Sequence, residues 1–243
     1  GGSWNNGGLT PAHPSAWCKC QQNWVTTVNQ TTNQSNVQIE DVKTGYKVFK
    51  LWKNGAPASE YFLVENRQKI LFDKFLPNSG LLIWHIDDAA TDNTNEAHFK
   101  VALMQADGKK DLELNHNRGD AGDSYPGSAN NRSFNNTSNP NSKSYAGSST
   151  CVQVNNISDP GPTMSADLAV KCKVIKVKDH LHKEIIKEKE NLRNHNNVFD
   201  TKPMYKNYEK APTYSRNEDK LKHVTNKGSL RKMQPVSEMI SSR

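Results

Sequence analysis

Four aspartates, Asp107, Asp111, Asp120 and Asp123, fall within the stretch ADGKKDLELNHNRGDAGD. Carboxylates packed that closely repel one another unless a cation, a basic partner or free solvent relieves them. Calcium takes six to eight oxygens from carboxylates, carbonyls and water, and Asp-Gly turns supply such oxygens without strain. The spacing makes these four residues candidate calcium ligands, with Asp120 and Asp123 the best-placed pair. The acids do not alternate ahead of a glycine as an EF-hand requires, and the competing role for them is in Asx turns and caps.

A second candidate group lies just upstream, in GLLIWHIDDAATDN. His85 and Asp87 sit two apart at the end of an apolar run, so strand alternation puts both on one face. There they could ligate a metal or line a substrate cleft, or His85 could be a histidine bonded to backbone at the core edge. The two-histidine helical spacing of a catalytic zinc site is not present. Glu65 and Arg67 in EYFLVENRQ also share a strand face, where such a pair most often forms a structural ion pair. A GxSxG elbow and a GxxxxGK loop are both lacking, which removes serine-hydrolase and P-loop chemistry. His180 and His182 are i and i+2 on a helix and project to different sides.

The elements that must position these groups are short. Apolar periodicity predicts strands at 37–42, 46–51, 60–65, 81–86, 99–105, 151–154 and 166–170, separated by the turn signals Lys53-Asn54-Gly55, Asn78-Ser79-Gly80 and Ala106-Asp107-Gly108. A short helix is expected over 16–25 with Ser15 near its N-cap, and 26–36 reads as loop. Residues 1–16 read as loop with Trp4 as an anchor. The span 115–149 is polar and nearly free of aliphatics; a loop of that length is usually functional or held by a ligand. The fold class expected is mainly β (α+β), with antiparallel short strands and a short N-terminal helix over 1–172. A basic amphipathic helix then follows at 173–196 and a disordered basic tail at 197–243.

Charge supports that division. Residues 1–172 hold 15 Lys and Arg against 16 Asp and Glu, whereas residues 173–243 hold 17 against 9. The basic pI therefore belongs to the tail, which can attract an anionic partner weakly and without specificity; a specific nucleic-acid binder is not indicated. No apolar stretch is long enough to span a membrane. The opening GGSWNNGG shows no charged-then-apolar leader, and the chain is expected to be a piece of a longer one. Cys18, Cys20, Cys151 and Cys172 do not have the spacing of a four-ligand zinc site; Cys151 and Cys172 bracket two strands and could bridge, and free thiols remain open. Sequons at Asn29, Asn33, Asn131, Asn135, Asn136 and Asn156 are consistent with surface loops.

GGSWNNGG with PAHPSAWCKCQQNW, then EYFLVENRQ with FDKFLPNSGLLIWHID, then HFKVALMQADGKKDLE, GDAGDSYPGS and NSKSYAG occur in that order. Together they resemble the later part of the secreted bacterial metalloproteases of the immune inhibitor A type, over roughly residues 1–170. The resemblance implies a secreted zinc endopeptidase acting on protein or peptide substrates, and commonly stabilised by calcium. In that family an HExxH helix supplies two zinc-binding histidines and the Glu that activates water, shortly before a segment like GGSWN. HExxH is absent here, so the zinc ligands are expected ahead of Gly1 and no catalytic residue is assigned within the chain. Cys18, Cys20, the basic tail and the missing Met ahead of the GSW-like segment depart from the pattern. The alternative expectation is a non-catalytic, calcium-stabilised β-domain with a polybasic, partner-binding tail.

Overall fold

The computed structural model describes residues 6–172 and 177–196, which belong to two separate units divided after Lys176. Trp4, the start of the expected tail helix at Val174 and the tail at 197–243 lie outside the described residues. The second unit contributes the helix Val177–Asn196, whose described side chains from 184 to 193 are all exposed.

The first unit is mainly β, with two sheets and few helices. Its larger sheet has five strands: β1 (Thr26–Asn29), β3 (Lys47–Leu51), β4 (Glu60–Arg67), β5 (Gly80–Asp87) and β6 (Val101–Leu103), in that spatial order. The smaller sheet orders β2 (Gln34–Glu40), β8 (Thr163–Ala169) and β7 (Gln153–Asn155). All pairings are antiparallel except β1 with β3, which is parallel.

Strand alternation sends the two faces of the large sheet to different partners. Phe49, Leu51, Phe62, Val64, Leu81 and Ile83 pack in one cluster with Ile39, Val154, Met164, Ala166 and Leu168 of the small sheet, forming a two-layer core. The other face carries Val48, Tyr61, Leu63 and Ile86, covered by Ala16 and Trp17 of α1 (Ala16–Gln21) and by Val42 of the one-turn helix α2 (Val42–Gly45). Because both faces of β4 are covered, its residues 61–67 are all buried.

Several boundaries differ from the sequence reading for identifiable reasons. Thr26–Asn29, expected as loop, is an edge strand; its pairing to Lys47–Lys50 is made by backbone, and its side chains need no apolar face. Val42 leaves its strand because Asp41 caps a helical turn, its carboxylate accepting the Lys43 N–H at 3.0 Å. The Ser15 cap is present, with its hydroxyl accepting Cys18 N–H at 3.2 Å, but the helix stops at Gln21. The long polar span 115–149 is pinned to the core by aromatics: Tyr125 pairs with Leu81 and Phe134 with Val154, both fully buried. Gly80, at φ 155°, must remain glycine there, because an added Cβ would collide with the Tyr125 carbonyl.

Cys151 and Cys172 form a disulfide, Cα to Cα 4.8 Å, across a sequence separation of 21, while Cys18 and Cys20 are free thiols. The bond ties the chain ahead of β7 to the chain after β8. Replacing both cysteines by serine should cost about 3 kcal/mol by loop-closure entropy, read as a lower urea midpoint. An unchanged midpoint would mean that the bond adds no stability.

Candidate functional site

The α1-facing side of β4 and β5 carries the first group of functional side chains. Glu65 is fully buried there and meets Lys19 of α1, Nζ to Oε2 2.5 Å, in an ionic contact rather than an aligned hydrogen bond. Trp84 Nε1 donates to Glu65 Oε1 at 3.2 Å, and Arg67 NH1 lies 3.7 Å from the same oxygen. Arg67 then donates from Nε and NH2 to Asp73, at 3.1 and 2.8 Å, and from NH2 to the His13 carbonyl at 2.9 Å. Lys43 closes the set, 3.3 Å from Asp73 and 2.9 Å from Asp41. Burial pushes the Lys19 ammonium down, opposed by Glu65. Burial alone would raise Asp73, but the Arg67 guanidinium, the His13 N–H and Lys43 override it and hold the carboxyl below the usual range. Glu65 and Arg67 thus belong to a network with Lys19, Lys43, Asp41 and Asp73. Sequence reasoning missed Lys19, whose helical neighbours gave no sign that it turns inward.

The aspartates do converge. Asp107, Asp111 and Asp120 bring carboxylate oxygens within 4.8 Å of one another, the one such group of potential metal ligands among the described residues. Gly122 makes the approach possible, since a Cβ there would strike the Asp107 carboxylate. Lys109 Nζ lies 3.2 Å from Asp107, His116 Nδ1 3.0 Å from Asp111, and Asn117 donates to Asp120 at 2.9 Å. Asp123 is not one of the three: its Oδ2 accepts the Asp120 N–H at 2.8 Å. Burial pushes the Asp123 carboxyl up to about 6, with the charges of Asp120, Asp107 and Asp111 adding to the rise.

His85 lies on the opposite face of β5 from the Glu65 network, in a stack of rings. Phe62, its cross-strand partner, is 4.4 Å away on one side and Tyr145 4.2 Å away on the other, with His98 beyond Tyr145 at 4.0 Å. His85 Nε2 bonds Glu60 at 2.8 Å rather than backbone, and Glu60 also accepts the Tyr145 N–H at 2.6 Å. Asp87 is paired with His98 at 2.7 Å and accepts Ala89 N–H at 2.9 Å. Burial lowers the His85 pKa, against the pull of Glu60 and Asp87. Burial likewise pushes the Tyr145 hydroxyl up to about 12. Structurally the stack fastens the end of the 115–149 span to the sheet.

Beside the Glu65 network a groove of about 430 Å³ opens on the sheet. Leu82, Trp84 and Leu103 form its apolar floor, His13 one wall, and Asp120 and Asp123 another. It therefore joins the two acidic groups, and apolar floor with polar rim is the usual character of a small-ligand or peptide-side-chain pocket. Compared with models of protein families, with curated proteins and with solved structures, the chain finds no match.

Removing one partner from the buried network leaves the other charge stranded. Lys19→Met should cost about 3–5 kcal/mol in urea unfolding, and Lys19→Met with Glu65→Leu should recover most of that loss. A double-variant loss equal to the sum of the two single-variant losses would show that the two side chains act independently. His85 gives a pH signature. Its folded pKa lies below the usual 6.5, so its contribution is present above pH 6.5 and is lost as the pH falls through the folded value. His85→Gln should flatten the stability profile below pH 6.5; an unaltered slope would assign that slope to other groups.

Proposed function

We propose that this chain is the C-terminal portion of a secreted zinc-dependent endopeptidase of the immune inhibitor A type. It contributes the substrate-side wall of the cleft and a calcium-held loop, and it is inactive alone. The observation that carries this reading is the groove beside His13, Pro14 and Ser15. Those residues follow the GGSWN-like segment that in the family comes after the zinc helix, and an apolar floor beside them suits substrate side chains. The Cys151–Cys172 disulfide is compatible with export.

Zinc does not fit the residues present. The one convergent group of potential ligands among the described residues is three aspartates, an oxygen donor set for a hard cation, and no histidine joins it. In the intact parent, zinc would supply activated water from residues preceding Gly1; this chain would orient the peptide in the groove. Calcium does fit. Asp107, Asp111 and Asp120 would hold it, with Gly122 keeping the space clear for their approach.

Two measurements test the proposal. The chain alone should leave casein intact, and the same chain joined to the HExxH polypeptide encoded ahead of it should cleave casein in a way that 1,10-phenanthroline abolishes. Calcium should raise the melting temperature and slow trypsin cleavage at Lys109 and Lys110, and Asp107→Asn with Asp111→Asn should remove both effects. An upstream region without HExxH, combined with a calcium response, would favour the non-catalytic calcium-stabilised β-domain instead. Melting and proteolysis indifferent to calcium would exclude the metal from either reading.

A further inference from the structure

The turn joining β4 to β5 carries Ile70, Leu71, Phe72 and Phe75, which are 44%, 67%, 55% and 40% exposed. A run of exposed large apolar side chains on one turn marks an interaction surface. The turn is also held in place. Asp73, the sole acid between residues 68 and 80, is fully buried and gripped by Arg67, Lys43 and the His13 N–H at 2.9 Å. The His13 ring lies 6.3 Å from that of Phe72. The anchored carboxylate points inward while its neighbours are turned out. Leu71 pays for this with a left-handed backbone, φ 53°, and gains no burial in return. Strain of that kind persists where the surroundings hold it, and it clusters at functional segments.

The charge left on the outside is positive. Lys69 and Lys74 are exposed and flank the apolar residues, with Lys74 Nζ 4.8 Å above the Phe75 ring and Lys69 Nζ 3.5 Å from the Pro77 carbonyl. Aliphatic and aromatic tips rimmed by lysines, with their one acid withdrawn, suit the boundary between anionic headgroups and acyl chains. A protein interface fits less well, because four side chains on one turn offer roughly a few hundred Å², short of the ~800 Å² per partner of a stable complex.

We propose that the β4–β5 turn is an interfacial anchor that inserts Leu71, Phe72 and Phe75 into an anionic lipid surface, with Lys69 and Lys74 against the headgroups. A single shallow anchor binds weakly, and stable attachment takes a second signal. Residues 173–243, with 17 Lys and Arg against 9 Asp and Glu, carry the basic charge for it.

The test uses the full chain and sedimentation with large vesicles, either pure phosphatidylcholine or phosphatidylcholine with phosphatidylserine at 7:3. The full chain should partition onto the serine-containing vesicles and much less onto the neutral ones. Leu71→Asn with Phe72→Ser should reduce that partition about tenfold or more. The same variant should leave the urea midpoint unchanged or higher, because asparagine tolerates the left-handed backbone better than leucine. Lys69→Ala and Lys74→Ala should each cost about fivefold at low salt. Three results would overturn the proposal: no binding to either vesicle; wild-type binding by Leu71→Asn with Phe72→Ser, which would assign the affinity to the tail alone; or a soluble dimer that this variant dissociates while vesicles remain unbound, which would assign the turn to a second copy.

Discussion

Glu65 is a fully buried carboxylate on the middle strand of a sheet covered on both sides. Such a group is tolerated only when cations reach it, and the cations come from outside the strand: Lys19 from α1 and Arg67 from two residues along. Arg67 in turn needs Asp73 from the following turn, and Asp73 needs Lys43 from α2 and the His13 backbone. Each requirement recruits another segment, so the N-terminal stretch, both short helices and the β4–β5 turn are located by one neutral set of three cations and three carboxylates. The groove floor and the exposed turn both border that set. Hydrophobic burial could hold these segments against the sheet in several registers, whereas ion pairs of fixed geometry admit few.

What was legible in the sequence follows from how local each cause is. The strands β3, β4 and β5 announce themselves because their apolar residues are contiguous and their turns carry Asn and Gly. The Ser15 cap is local too. Thr26–Asn29 was invisible because its strand character comes from β3, which supplies the backbone partners. The span 115–149 reads as structureless because it carries almost no aliphatic residues. Tyr125, Phe134 and Tyr145 hold it, one ring at a time, at intervals no periodic pattern would flag.

The site residues divide in the same way. Glu65 with Arg67, and His85 with Asp87, were found by alternation, which fixes the face of a side chain but not its partner. Lys19, Glu60 and Tyr145 complete those groups from elsewhere in the chain, with Lys19 46 residues and Tyr145 85 residues from the acids they serve. Asp107 and Asp120 approach where Gly122 leaves room for both carboxylates, a consequence of steric space that composition does not encode. Asp123 suits a ligand role by its spacing from Asp120, but its carboxylate is occupied by the Asp120 N–H.

The two acidic groups show opposite solutions to the same electrostatic problem. Around Glu65 and Asp73 every carboxylate has an internal cation, burial is nearly complete, and the set is neutral. Around Asp107 the partners of the acids include an exposed lysine, a largely exposed histidine, an amide and backbone N–H groups, in place of the buried cations of the Glu65 network. Repulsion between like charges 4–5 Å apart costs about 1 kcal/mol in water and several times that where solvent is partly excluded. The raised Asp123 carboxyl expresses burial first, with that repulsion adding to it. A neutral network has nothing further to gain from an ion. In the proposed reading a divalent cation would replace the mutual repulsion of Asp107, Asp111 and Asp120 with shared attraction. The asymmetry sets Glu65 and Arg67 in the frame and leaves Asp107, Asp111 and Asp120 as the group to which the proposed calcium would bind.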